Sequence, residues 1–135
     1  MKSEGVPHIH GKNGIGNVEL PKSEQKVLEM DGADFIIKKA KELDGELIIV
    51  AVGPLTNLAL ALKKEPNLPK YVKKVVILGG TVLAPGNVTP VAEANIHSDP
   101  EAADYVFQAG FNLTVVGLDV TMKCRIKYDQ ILYMD

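Results

Sequence analysis

Leu47-Ile48-Ile49-Val50-Ala51-Val52, closed by Gly53-Pro54, is the stretch that decides the fold. It is an unbroken apolar run rich in β-branched residues and without polar alternation, as expected of a strand covered on both faces in a parallel sheet. Gly53-Pro54 breaks the run. Leu55 to Lys64 then offers Leu, Ala and Lys, all good helix formers, until Pro66 and Pro69 end the segment. Upstream, Ala33, Ile36, Ile37, Ala40 and Leu43 recur at helical spacing from Asp31, with Lys38, Lys39, Lys41 and Glu42 on the other face and Gly45 as a stop. Helix, strand, tight turn, helix is the local order.

The pattern continues downstream. Val75-Val76-Ile77-Leu78 is a second apolar run ending at Gly79-Gly80, followed by about twenty residues rich in Gly, Pro, Asn and Thr with no period, a length that usually signals function. Ser98, Asp99, Pro100 and Glu101 then mark a helix start, either as a Ser98/Glu101 capping box or with Asp99 as cap and Pro100 at the first helical position. That helix runs to about Ala109. After Gly110, Leu113 to Leu118 is a third buried strand, ending at Asp119. Residues 1–30 are sparse in apolar content and read as loop, with one short strand near Val6 to Ile9. Alternating strands and helices imply an α/β fold: a doubly wound, mostly parallel, Rossmann-like sheet with helices on both faces. Its ligand crevice lies at the strand C-terminal ends, so site residues should follow Val52, Leu78 and Leu118.

Composition narrows the function. The 135 residues are 46% apolar and 24% charged, the balance of one soluble globular domain spanning 1–135. Fifteen basic and seventeen acidic residues, mixed along the chain, give a net charge of -2 and no footprint for nucleic acid or anionic membrane. No run approaches the roughly 20 apolar residues of a membrane span. The single cysteine, Cys124, excludes an internal disulfide and a Cys-x-x-Cys site, and a cytoplasmic home is the default expectation.

Several stretches carry polar chemistry. His10-Gly11-Lys12-Asn13-Gly14-Ile15-Gly16-Asn17 is glycine-rich, but its Gly-Lys is followed by Asn and precedes no clear helix, which argues against a phosphate loop. His8 and His10 share one face if extended, yet two histidines lack the further ligands zinc requires. Gly53-Pro54-Leu55-Thr56-Asn57 sits where backbone groups can meet a ligand, although capping by Thr56 or Asn57 explains it equally well. The loop from Gly79 to Pro100 is the richest, with Asn87, Glu93, Asn95 and His97. If Ala92 to His97 is extended, Glu93, Asn95 and His97 point the same way, and such donors and acceptors can grip neighbouring hydroxyls of a sugar.

Taken together, His10-Gly11-x-x-Gly14, Gly53-Pro54-Leu55-Thr56-Asn57-Leu58-Ala59, Gly79-Gly80 with Gly86-Asn87, Pro90-x-Ala92-Glu93-x-Asn95, Asp99-Pro100-Glu101-Ala102-Ala103 and Gly117-Leu118-Asp119-Val120-Thr121 closely resemble the inosine-uridine nucleoside hydrolases, in matching order. The resemblance covers about His8 to Thr121. It implies hydrolysis of the N-glycosidic bond of purine or pyrimidine ribonucleosides, as in salvage, by a calcium-dependent N-ribohydrolase. By the same resemblance, Asn87, Glu93 and Asn95 match ribose-binding positions, and His10 matches a histidine near the base. Leu78 looks like the apolar pocket-lining residue, and Val52 matches the residue whose backbone carbonyl contacts calcium.

The chain departs from that family in one respect. The Asp-x-Asp-x-Gly-x-Asp-Asp cluster and the His-Asp pair that hold most of the ion are absent, and Met122 stands where relatives commonly have histidine. The resemblance therefore implies Ca2+ as cofactor with most of its carboxylate ligands lying elsewhere, and no residue is assigned a catalytic role. The chain reads as an internal portion of the fold, incomplete relative to the family. Leu47 to Val52 then lacks its usual neighbour, which predicts an exposed edge and association, with a second copy or with the missing part of the fold. The alternative function is a non-catalytic ribose-binding or interaction module.

Overall fold

In the computed structural model, which describes residues 6–126 and 130, the three apolar runs form three parallel strands. They are β1 (Leu47–Ala51), β2 (Val72–Leu78) and β3 (Leu113–Val116), in the order β1-β2-β3. Strand β2 begins three residues before the run that announced it. Its two lysines lie within the pairing: the register slips between Leu47 and Ile48, so that Leu47 pairs with Val72 but Ile48 with Lys74. Lys73 is the extra residue, and its Nζ meets Glu46 Oε2 at 2.6 Å. Leu113 to Leu118 shortens to β3, because Gly117 turns the chain and Leu118 opens a helical turn.

The chain divides into two compact units, Met1–Met30 and Asp31–Asp135. In the first, the expected strand near Val6 to Ile9 is instead a single turn, α1 (Pro7–His10), with Pro7 at its start. A proline fixes φ near the helical value and lacks only an N–H that the first turn leaves unpaired, so it favours the turn over a strand. The glycine-rich stretch that follows closes on itself. Asn13 Oδ1 accepts from the N–H groups of Ile15 and Asn17, and Asn17 Oδ1 accepts from Lys12 N–H at 2.8 Å. Gly11 has φ +73°, and a Cβ there would lie 2.8 Å from Asn17 Oδ1. These glycines serve a tight turn, in agreement with the reading against a phosphate loop.

In the second unit, α2 (Gly32–Leu43) is capped by Asp31, whose carboxylate accepts from Ala33 N–H, and stops at left-handed Asp44 followed by Gly45. The crossover from β1 to β2 carries α3 (Thr56–Lys64) and α4 (Leu68–Tyr71). Pro69, expected to end a helix, sits in the first turn of α4, where it is tolerated. The crossover to β3 carries α5 (Ala94–Ser98) and α6 (Pro100–Phe107), and α7 (Leu118–Thr121) follows β3. Of the two starts open for α6, the structure uses the second: Asp99 accepts from Ala102 N–H, while the Ser98 hydroxyl donates to the Ala94 carbonyl.

Both crossovers step in the same direction across the sheet. Right-handed connections then put their helices on one face. Leu58 and Leu62 of α3, Ala103 and Val106 of α6, and Ala33 and Ala40 of α2 bury against Val75 and Ile77 there. Fully burying a side chain such as Leu55, Leu68 or Ile77 contributes about 1.5–3 kcal/mol. The parallel α/β class is as read from the sequence, but the expected cover on both faces is not found among the described residues. Val50 is 63% exposed, with Ile48 beside it on the open face. An order without reversal supplies one winding, and a second helical layer requires the other.

Candidate functional site

Leu78 and Val116 end adjacent parallel strands, so the loops that follow them emerge side by side. Between them lies a cavity of about 300 Å³, at the small end of the range for ligand sites. Leu78, Gly79, Asn87, Glu93, Asn95 and the turn Val116–Leu118 line it, with Thr121. Four of the residues expected in a sugar site are thereby brought together: Leu78, Asn87, Glu93 and Asn95.

The loop is folded so that these side chains return to the strand ends. Gly86 sits where a Cβ would lie 2.3 Å from both Thr89 O and Ala92 N, so only glycine fits the turn. Gly86 N–H donates to the Pro90 carbonyl, and the N–H groups of Asn87 and Val88 donate to the Ala92 carbonyl. Asn87 then reaches forward, and its Oδ1 accepts from Ala94 N–H at 2.9 Å.

Glu93 is 7% exposed, the buried charged residue of the described chain. Burial of a carboxylate is tolerated when hydrogen bonds replace water. Its Oε2 accepts three N–H groups: Gly80 at 2.9 Å, Asn95 at 3.0 Å and Ile96 at 3.1 Å. The last two make Glu93 the N-cap of α5, and this corrects the extended reading of Ala92 to His97. A one-turn helix replaces the alternation, and His97 is not among the cavity-lining residues. Glutamate is an uncommon cap, which hid the turn in the sequence.

Asn95, on α5, spans two strand ends. Its Nδ2 donates to the Leu78 carbonyl at 2.8 Å and points to the Val52 carbonyl at 3.5 Å. The Val52 oxygen expected to serve a cation thus faces an amide N–H group. Among the described residues no group of three or more His, Cys, Asp or Glu could hold a metal ion, and Asp129 and Asp135 lie outside those residues. Calcium takes roughly six to eight oxygens, several from carboxylates. One carbonyl does not fit that need.

Two features escaped the sequence reading. Asp119, in the turn after β3, accepts from the N–H groups of Val82, Leu83 and Ala84, each at 2.8 Å. The bonds from Val82 and Leu83 foremost lower its pKa to about 2. Only its place at a strand end, within Gly117-Leu118-Asp119, hinted at this. Thr56, expected as a cap for α3, has its hydroxyl 2.5 Å from Asp99 Oδ2 instead, tying the starts of α3 and α6 together. That bond, with the one from Ala102 N–H, holds the Asp99 pKa below the usual range. His10 is exposed at the end of α1, in the Met1–Met30 unit, beside a glycine-lined hollow of that unit.

A sequence model described as "Inosine-uridine preferring nucleoside hydrolase" matches residues 1–134. Uridine nucleosidase 1 of Arabidopsis thaliana is 48% identical over 132 residues, which are 95% of this chain and 39% of that protein. A pyrimidine-specific ribonucleoside hydrolase of Enterobacter sp. (strain 638) is 40% identical, over 88% of this chain and 38% of its own. Among solved structures, the purine-preferring ribonucleoside hydrolase from Gardnerella vaginalis superposes with a TM-score of 0.88 at 44% identity, covering 91% of this chain and 39% of that one. The chain therefore spans about two fifths of the length of these relatives. No helix among the described residues is long and apolar enough to cross a membrane.

Proposed function

Because the chain belongs to the inosine-uridine preferring nucleoside hydrolase family, we propose that it supplies the ribose-gripping part of an enzyme that hydrolyses the N-glycosidic bond of ribonucleosides. One observation carries this reading. Each of the three polar side chains at the cavity spends one end on the protein and keeps the other. Asn87 uses Oδ1 and keeps its NH2, Asn95 uses Nδ2 and keeps Oδ1, and Glu93 uses Oε2 and keeps Oε1. One donor group and two acceptors suit a row of hydroxyls, which both donate and accept.

The reaction makes sense of the arrangement. Glycoside cleavage passes through an oxocarbenium-like state, and a carboxylate beside the sugar favours the growing positive charge. Fixing several hydroxyls also holds the anomeric carbon in one place, so binding contacts lower the barrier. Relatives named for uridine, for pyrimidines and for purines match this same stretch, as expected if it serves the sugar they have in common. Leu78 supplies an apolar wall, and His10 is proposed to serve the base. The family resemblance implies calcium, whose part in such a reaction is to activate water. The Val52 carbonyl is the one ligand that the resemblance assigns among the described residues, so this chain's own share is recognition of the sugar.

The match over residues 1–134 supports treating both compact units as parts of one domain. A cytoplasmic setting is proposed as the default, and the open face at Ile48 and Val50 supports association with a further chain or segment. A second reading, a ribose-binding module without catalysis, is favoured by the Asn95 amide at the Val52 carbonyl.

Calorimetry with ribose, with and without a calcium chelator, tests both readings, alongside an assay for ribose released from inosine or uridine in calcium. Ribose binding that Glu93→Gln and Asn95→Ala abolish supports the clamp, and its absence in the unaltered chain rejects it. Release of ribose supports hydrolysis. Binding without release, indifferent to chelator, favours the module.

A further inference from the structure

We infer that Asp119 is a positioning residue for the sugar site: by anchoring the backbone of Val82–Ala84 it holds Gly80 against Glu93 and so aims the ligand-facing carboxylate oxygen. The inference rests on the reading of the cavity as a ribose site. Asp119 touches no ligand-facing atom itself and works through the loop that follows β2.

The linkage can be followed bond by bond. Asp119 Oδ1 accepts from Leu83 and Ala84 N–H, and Oδ2 from Val82 N–H. The Thr81 hydroxyl closes the turn on the Ala84 carbonyl at 2.5 Å. Gly80, at φ +77°, is pinned from two sides: its carbonyl accepts from Leu118 N–H at 2.9 Å, and its N–H donates to Glu93 Oε2. A Cβ on Gly117 would stand 2.8 Å from the Gly80 oxygen, so the turn bearing Asp119 lies against that peptide. Asp119 and Glu93 therefore grip the two ends of one five-residue stretch, Gly80–Ala84. A carboxylate that accepts three backbone N–H groups is a strong anchor, and its pKa near 2 keeps it charged at neutral pH.

The apolar side chains of this stretch do little to hold it in place. Val82 is 88% exposed and Leu83 93%, so apolar burial contributes little to its ordering. Without Asp119, the loop would regain backbone freedom, and ligand binding would have to restore the order. Asp119→Asn keeps the size but turns an NH2 group towards backbone donors. Asp119→Glu keeps the charge and displaces it.

The test uses the isotopically labelled chain, with amide exchange and ribose titration followed together. Asp31→Ala, which removes the cap of α2, serves as a control for general destabilisation. Asp119→Asn is expected to speed exchange of the Gly80, Val82, Leu83 and Ala84 amides and to weaken ribose binding about tenfold. Asp31→Ala should leave both unchanged. If the asparagine variant fails to fold, the same measurements on Asp119→Glu decide. Faster exchange with unchanged affinity overturns the positioning role and leaves the ribose reading intact. Equal loss in Asp31→Ala also overturns it, since the effect is then general. An unaltered chain that binds no ribose removes the reading of the cavity and this role with it.

Discussion

The Asn95 side-chain amide donates to the Leu78 carbonyl at 2.8 Å and points to the Val52 carbonyl, so a residue lining the cavity is also a tie across the ends of β1 and β2. A carboxylate in its place would face two carbonyl oxygens. Asn95→Asp is therefore expected to destabilise the chain by about 1–3 kcal/mol and more than Asn95→Ala does, as read from urea unfolding. An aspartate variant as stable as the parent would show that the tie is not made in solution.

Gly86 gives a sharper test of the loop. Any Cβ there meets backbone at 2.3 Å, so Gly86→Ala must rearrange the turn that returns Asn87 to the cavity. Ribose affinity should fall on the order of tenfold or more. The turn lies outside the core cluster, so the unfolding midpoint should move little. Calorimetry and a thermal melt on the same sample check both halves.

The two faces of the sheet should answer differently to substitution. Ile77 is fully buried, and Ile77→Ala is expected to cost about 2–5 kcal/mol. Val50, on the open face, should tolerate threonine within about 0.5 kcal/mol. Equal costs in urea unfolding would mean that the Val50 face is covered in solution.

How much of this was legible beforehand follows from the residues. Leu47 to Val52 and Val75 to Leu78 announced parallel strands because apolar runs closed by glycine have few other uses, and the alternation with helices followed. The open face could not be read, since Val50 and Ile49 look alike in sequence and only the direction of winding tells them apart. Lys73 and Lys74 hid the start of β2, because a bulge lets a lysine join a strand. The candidate site was legible as a set of polar side chains, Asn87, Glu93 and Asn95, which line one cavity, but not as a geometry. Its shape depends on Glu93 capping a one-turn helix and on Asp119 reaching loop amides some 35 residues away in sequence, neither of which leaves a periodic trace.

Acid should reach Asp119 late. Its folded pKa, about 2, lies below the ordinary aspartate value of about 3.9, so its contribution is complete above that ordinary value and is lost as pH falls through about 2. The amide shifts of Val82, Leu83 and Ala84 should stay constant from pH 7 to about pH 4 and change only below it. A transition centred near 4 in an NMR titration would show that the three bonds are not held.

Glu93 carries a burden of its own. One oxygen holds a helix and a loop together while the other makes no bond within the described chain, so in the proposed site the same side chain answers for shape and for affinity. Alanine scanning would mix those two losses in a single number. Glutamine separates them in principle, since its oxygen can remain at the backbone while nitrogen turns outward. A designer who wished to reshape this cavity would find the Glu93 position closed to most replacements, and would do better to alter its neighbours.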